Sequence, residues 1–250
     1  MRKSGAKTLL MGGQACVFYG AAEFSRDLDL LIPADPVNLG LVASALDDLA
    51  ALPIAVPPLQ AAHLLRGHAV HFRCRREDVA GLRIDLMSSP RGVDDFGRLW
   101  ARRTTIEVDG ETLDLLSLED LEIAKKTQRS IDWPMLERLL QQSFFGADAA
   151  GKDSAMESPL VDFWLRELRT PELLMRVAAG FPFRAAAIAP SRKVVALAVT
   201  GHVSDVAAAL IQEEQEERER DRQYWEPLRR ELEQFRRDRR ITGKSEPCTS

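Results

Sequence analysis

Cysteine is scarce in this chain. Cys16, Cys74 and Cys248 are its only three, and no two of them are spaced as CxxC. An odd, scattered set excludes a disulfide framework and a paired-cysteine zinc site; it reads as reduced thiols and points to a cytoplasmic compartment. Long hydrophobic runs are also missing. The apolar stretch after the basic start Met1-Arg2-Lys3 is interrupted at once by Gly12-Gly13, too short for a signal peptide, and no window approaches a membrane span. Nor is there an excess of positive charge: 34 Lys and Arg stand against 38 Asp and Glu. The net charge of −4 gives no global attraction to nucleic acid, so such a partner needs a local basic patch. There is no internal repeat, no Gly-Lys-Ser/Thr of a Walker loop and no GxGxxG.

What is present describes an ordinary globular protein: 250 residues, 45% hydrophobic and 29% charged, enough for a sizeable core. Thr8 to Met11 is a short apolar run closed by glycines, consistent with a buried strand, and Gln14 to Tyr19 fits a short helix stopped by Gly20. Leu28 to Ile32 reads as a second strand. Asp35-Pro36 reads as an N-cap with proline at N1, opening a helix to about Ala51. The Pro- and Ala-rich stretch from Pro53 to Ala62 reads as a loop. Ala69 to Arg75 and Leu82 to Met87 alternate like half-buried strands. Asp109-Gly110 inside Thr105 to Leu116 is a hairpin signal, and Ser117-Leu118-Glu119-Asp120 has the spacing of a capping box. From there the pattern is helical. The expected organisation is an α/β (α+β) core with a small mixed sheet over residues 1–116, a helical region over 117–240 ending in a charged helix, and a disordered tail over 241–250. The expected linker within the helical part runs from Gly146 to Pro159.

The chemistry concentrates in three places. Gly12-Gly13 lies between a strand and a helix, where backbone N–H groups can approach a phosphate chain. In Arg26-Asp27-Leu28-Asp29-Leu30-Leu31-Ile32 the alternation of a strand projects Asp27 and Asp29 to one side. Two carboxylates so close repel unless a cation lies between them, and magnesium, with its preference for oxygen ligands, waters and phosphates, is the expected one. In Arg83-Ile84-Asp85-Leu86-Met87 the parity of Asp85 is opposite to that of Ile84 and Leu86, so it can leave the core and join the pair. Three aspartates from two neighbouring strands suit a two-metal site for in-line displacement at phosphorus. Each feature alone has a bland reading as a tight turn or a solvated strand end; their order, topology and parity together favour a site.

These residues resemble the signature of the DNA polymerase beta-like nucleotidyltransferase superfamily, closest to its small bacterial members with GG in place of Gly-Ser, which include the toxin-type nucleotidyltransferases of toxin–antitoxin systems. The resemblance covers about residues 8–140, with Leu118 to Arg129 and Asp132-Trp133-Pro134 similar to the helical region after the core. It implies a nucleotidyltransferase core in which Asp27 and Asp29 bind both metal ions, Mg2+ or in its place Mn2+. Asp85 would complete the catalytic metal site and help deprotonate the attacking hydroxyl, and Gly12 and Gly13 would hold a nucleoside triphosphate. Ser25 keeps a hydroxyl in the Arg-x-Thr-x-Asp-x-Asp pattern of relatives, whereas Glu23 stands at the arginine position. Lys125 occupies the place of a lysine facing the nucleotide, with a solvated helix lysine as the equal alternative. The implied reaction is attack of an acceptor hydroxyl on the α-phosphorus with release of pyrophosphate; the acceptor is a small molecule, a tRNA or a protein. The alternatives are a catalytically silent nucleotide- or partner-binding protein of the same fold, and the toxin of a pair with an antitoxin partner.

Weaker signals remain. Arg129 and Asp132 are expected to pair structurally. His63, His68 and His71 crowd beside Arg66, Arg73, Arg75 and Arg76 without a zinc spacing: either a plain solvated surface or a basic edge for a phosphate-bearing acceptor. Gln212 to Arg240 is a charged helix with Glu214/Arg218 and Glu216/Arg220 at i,i+4. Its stripe Tyr224, Trp225, Leu228, Leu232 and Phe235 would dock on the body or make a homodimer. No membrane partner is expected.

Overall fold

The alternation read along Leu28 to Met87 builds the middle of a seven-stranded mixed sheet. The computed structural model describes residues 4–149 and 159–242. In chain order the strands are β1 (Leu9–Met11), β2 (Asp27–Leu31), β3 (Leu52–Pro53), β4 (Val70–Arg73), β5 (Arg83–Met87), β6 (Thr104–Val108) and β7 (Glu111–Leu115), and they lie side by side as β3-β4-β5-β2-β1-β7-β6. β2 runs parallel to β5 and antiparallel to β1; β4 is antiparallel to β5, and β1 is parallel to β7. The helices are α1 (Gly12–Phe18), α2 (Pro36–Asp48), α3 (Ala61–Arg66), α4 (Phe96–Ala101), α5 (Leu118–Lys125), α6 (Asp132–Ala149), α7 (Pro159–Glu167), α8 (Pro171–Gly180), α9 (Pro182–Ile188), α10 (Lys193–Thr200) and α11 (Val203–Thr242). The fold is thus a mixed α/β sheet region followed by a helical C-terminal region.

Two compact units form. Among the described residues the first comprises 4–18, 23–124 and 222–242, the second 19–22, 125–149 and 159–221. The expected boundary near residue 116 therefore falls before α5, most of which belongs to the first unit, and the end of α11 returns to that unit. Of the linker expected from Gly146 to Pro159, residues up to 149 are helical and 150–158 lie outside the described residues, as do Cys248 and the tail from 243.

One face of the sheet is a continuous apolar surface. Leu10, Leu30, Leu86 and Val70 stand in one row across four strands, and Ile84 and Phe72 in the next, all buried. Burying a leucine or isoleucine of this kind contributes about 1.5–3 kcal/mol. Local signals hold at their expected places. The Asp35 carboxylate accepts from the Asn38 N–H at 2.9 Å, capping α2, and Asp109 and Gly110 take φ of 52° and 76°, as the β6–β7 turn requires. Ser117 does cap α5, accepting from the Asp120 N–H at 3.2 Å, but Asp120 bonds the Ser117 hydroxyl rather than a backbone N–H. Asp120 is also gripped by Arg102, whose Nε and Nη2 donate to its two oxygens at 2.7 and 2.6 Å. α3, α4 and the short strand β3 were not expected. β3 is two residues long and α3 lies next to the Pro- and Ala-rich stretch, so neither has enough periodicity to be seen.

In the first unit the end of α11 docks on α3. Leu228 is buried, Phe235 lies edge-on to His63 at 5.0 Å and to His68 at 5.7 Å, and a Cβ on Gly67 would meet the Tyr224 hydroxyl at 2.9 Å. Glu231 accepts from Arg66 Nη2 at 2.6 Å and lies 2.8 Å from Nε2 of the buried His68. Of the stripe expected to dock on the body or to make a homodimer, Tyr224, Leu228 and Phe235 pack within the first unit here. Of the expected i,i+4 pairs, Glu214–Arg218 forms; Arg220 instead pairs with Glu217 at i,i+3.

In the second unit, Lys125 and Asp132 form a buried ion pair at 3.1 Å, joined by Thr127 and by Arg129, which donates to Asp132 from Nε at 2.8 Å. Burial would raise the Asp132 pKa; Lys125, Thr127 and Arg129 outweigh it and hold the carboxyl below its ordinary value. Arg192 is likewise buried, donating to the Leu165 and Leu168 carbonyls at the end of α7 and to Glu213. Among the described residues no helix is long and apolar enough to cross a membrane.

Two outcomes follow from these contacts. Asp132→Ala leaves the Lys125 ammonium buried without its counter-charge, at a cost of about 3–5 kcal/mol, read as a fall in melting temperature at neutral pH. Because the Asp132 carboxyl is held low, its stabilising contribution is complete above the ordinary value of 3.8 and is lost only as pH falls below it. The α11 contact titrates earlier. Burial first, and then the neighbouring His68, hold the His63 pKa below 6.5, so its favourable state is full above that pH and is lost as pH falls through it. The protection factors of the amides over residues 224–240, taken against the intrinsic exchange rate at each pH, should therefore fall between pH 7 and pH 5, and His63→Leu should flatten that fall; protection indifferent to pH would refute it.

Candidate active site

The sheet face opposite the apolar rows carries the charges. Strand register places Met11, Asp29, Asp85 and His71 in one row and Asp27, Arg83, Arg73 and Leu52 in the next. Asp29 and Asp85 are direct neighbours on parallel strands, as expected from their parity: Ile84 and Leu86 are fully buried on the other face. Asp27 opens β2 itself rather than preceding it.

The glycine pair closes the near end of this face. Gly12 begins α1 with φ of +67°, and a Cβ there would fall 1.9 Å from Asp29 Oδ2, so only glycine fits. A Cβ on Gly13 would fall 2.5 Å from the Ser25 hydroxyl. Ser25 in turn donates from Oγ to the Asp27 carbonyl at 3.3 Å, and its own carbonyl accepts from Gln14 at 2.9 Å. Gly12, Gly13, Ser25, Asp27, Asp29 and Asp85 are thus brought together. Lys125 is placed in the second unit, where its ammonium is tied to Asp132.

Two residues of the face were not anticipated as partners of the aspartates. Arg83 Nε donates to Asp85 Oδ1 at 2.8 Å, and His71 Nδ1 lies 2.8 Å from the same oxygen. Burial would raise the Asp85 pKa; the bonds from His71 and Arg83 outweigh it, so the carboxyl stays ionised well below neutral pH. Arg83 shares the parity of Asp85 two residues away, which the sequence displays. His71 meets Asp85 only through the β4–β5 register, which it does not.

The donor chemistry of Asp27, Asp29 and Asp85 fits a hard divalent cation, being all oxygen on one face. Both contacts to Asp85 fall on Oδ1 and neither on Oδ2. The side chains are not drawn into a cage: among the described residues no three of His, Cys, Asp or Glu are gathered closely enough to hold a metal.

No protein-family model matches the chain, and no curated protein matches it. Among solved structures it is similar to an antigenic nucleotidyltransferase-like protein from Paracoccidioides brasiliensis, over 62% of this chain and 84% of that one, at 16% identity and a TM-score of 0.36.

The glycine contacts differ in kind, and substitution separates them. Gly12→Ala meets a carboxylate held in the sheet and a left-handed φ, whereas Gly13→Ala meets a hydroxyl that can rotate away. Gly12→Ala should lower the melting temperature by the equivalent of about 1–3 kcal/mol or more, and Gly13→Ala by clearly less. Equal losses would show that the approach to Asp29 does not constrain the turn.

Proposed function

We propose that the chain is a metal-dependent nucleotidyltransferase, passing a nucleoside monophosphate from a nucleoside triphosphate to an acceptor hydroxyl with release of pyrophosphate. The observation that carries this reading is the meeting, on one sheet face, of Gly12 against Asp29 and of Asp29 beside Asp85. Magnesium held by Asp27, Asp29 and Asp85 would neutralise the phosphate charge that develops during transfer. The triphosphate would lie along the backbone of Gly12-Gly13, which the Asp29 carboxylate and the Ser25 hydroxyl approach closely. Asp85, kept ionised by Arg83 and His71, would take the acceptor's proton on Oδ2, the oxygen those two leave open. The protein would work in the cytoplasm. Its role as the toxin of a toxin–antitoxin pair is the same chemistry in a different setting, tested by growth arrest on expression that Asp29→Ala relieves.

One observation favours a second reading. The double engagement of Asp85 by Arg83 and His71 satisfies that carboxylate without a metal, as suits a protein that binds nucleotide and performs no transfer. Incubation with each α-labelled nucleoside triphosphate, magnesium and cell lysate, beside an Asp27→Ala/Asp29→Ala control, separates the two. Under the leading reading label passes to an acceptor and the control loses it by about a hundredfold to a thousandfold or more, the order expected when charge stabilisation at the transferring phosphoryl group is removed. Nucleotide binding with no labelled acceptor under any condition would establish the silent binder instead.

A further inference from the structure

The arginines and histidines between residues 63 and 76 separate, in the structure, into committed and uncommitted groups. His63, Arg66 and His68 face Glu231 and Phe235 of α11, His71 faces Asp85, and Arg76 pairs with Asp78 at 2.6 Å. Arg73 and Arg75 remain: both are exposed, and neither has an ion pair among the described residues. They line one hollow of about 500 Å³ at the β3–β4 edge of the sheet, together with the exposed Leu52, Pro53 and Ile54, and no carboxylate lines it. Its rim is fixed by backbone bonds: Ile54 N–H to the His71 carbonyl, Arg75 N–H to the Ala50 carbonyl and Gly81 N–H to the Cys74 carbonyl, at 2.9, 3.2 and 2.9 Å. The hollow is therefore preformed, cationic on one side and apolar on the other.

Its position gives it a use. Arg73 is the register partner of Arg83, and Arg83 of Asp27, so Arg73 stands two strand spacings, about 10 Å, from Asp27 on the same face. Resting on the transfer reading above, we infer that this hollow binds the acceptor: a hydroxyl compound bearing a phosphate, whose phosphate is held by Arg73 and Arg75 and whose sugar or base covers Leu52 and Ile54. Two guanidiniums with no competing carboxylate suit a phosphate, which arginine grips in a forked geometry. The overall charge of −4 makes this local pair the recognition element, since no global field draws a polyanion. A nucleic-acid strand and a free phosphorylated sugar share this chemistry.

Binding of a fluorescein-labelled single-stranded 12-mer oligoribonucleotide of mixed sequence, and of ribose 5-phosphate as its competitor, tests the assignment in the full chain. Arg73→Ala/Arg75→Ala should weaken binding at least tenfold and reduce the salt slope of the oligonucleotide by about 1.4, the value for two phosphate contacts on a single strand. Arg73→Lys/Arg75→Lys should recover part of it, and an unchanged melting temperature shows that the fold is intact. Arginine-dependent binding of the oligonucleotide identifies a nucleic-acid acceptor; arginine-dependent binding of ribose 5-phosphate alone identifies a small phosphorylated one. Binding of neither, or binding indifferent to both arginines, overturns the inference. Nucleoside triphosphate binding, measured separately, should be untouched by the arginine changes and lowered by Gly12→Ala. If label transfer fails while arginine-dependent binding persists, the transfer reading falls and the phosphate site stands.

Discussion

The parallel pairing of β2 with β5, in a register that sets Asp29 beside Asp85, is the constraint on which the first unit depends. Side chains alternate strictly along a strand, so a slip of β5 by one residue would turn Asp85 into the apolar layer and put Ile84 and Leu86 on the charged face. The buried rows Leu10-Leu30-Leu86-Val70 hold the register from one side. On the other side this register sets Asp27 beside Arg83, and the β4–β5 register sets His71 beside Asp85. Gly12 is then forced, because the carboxylate of Asp29 occupies the space that a side chain there would need.

Like charges set close together must be compensated, and the first unit does this in two ways. Asp85 is answered by the Arg83 guanidinium on its own strand and by the His71 ring on the neighbouring one, whose bonds keep it ionised although it is largely buried. The histidines and arginine of α3 and its flank are answered by Glu231 from the end of α11. A single basic cluster in the chain is thereby divided between a structural contact and the charged face, with Arg73 and Arg75 left for a ligand.

Much of this was legible along the chain. Asp35-Pro36, Asp109-Gly110 and Ser117 specify their caps and turn locally, because each acts on backbone within three residues of itself. The parity of Asp27, Asp29 and Asp85 was legible for a similar reason, since one strand's alternation is visible in five residues. The cradle of Gly12 and Gly13 was legible as a turn but not in its contacts, since Asp29 and Ser25 reach it from another element. Lys125 shows the limit of pattern reading: an apolar helical stretch marks the lysine but not its counter-charge, and the fold buries it against Asp132. Arg192, gripping the end of α7 from the start of α10, left no local signature at all.

By itself, then, the sequence determined the apolar and charged phases of the central strands, the local caps and turns, and the candidate set Gly12, Gly13, Asp27, Asp29 and Asp85. These follow from short-range sterics and from the period of an extended chain. Only the tertiary structure decided that His71 and Arg83 answer Asp85, that α11 returns to α3, and that Arg73 and Arg75 are left uncommitted at a preformed hollow. Those outcomes depend on which charges the packed strands and helices bring within a few ångströms of each other, a matter of register and docking between segments that lie far apart in the chain.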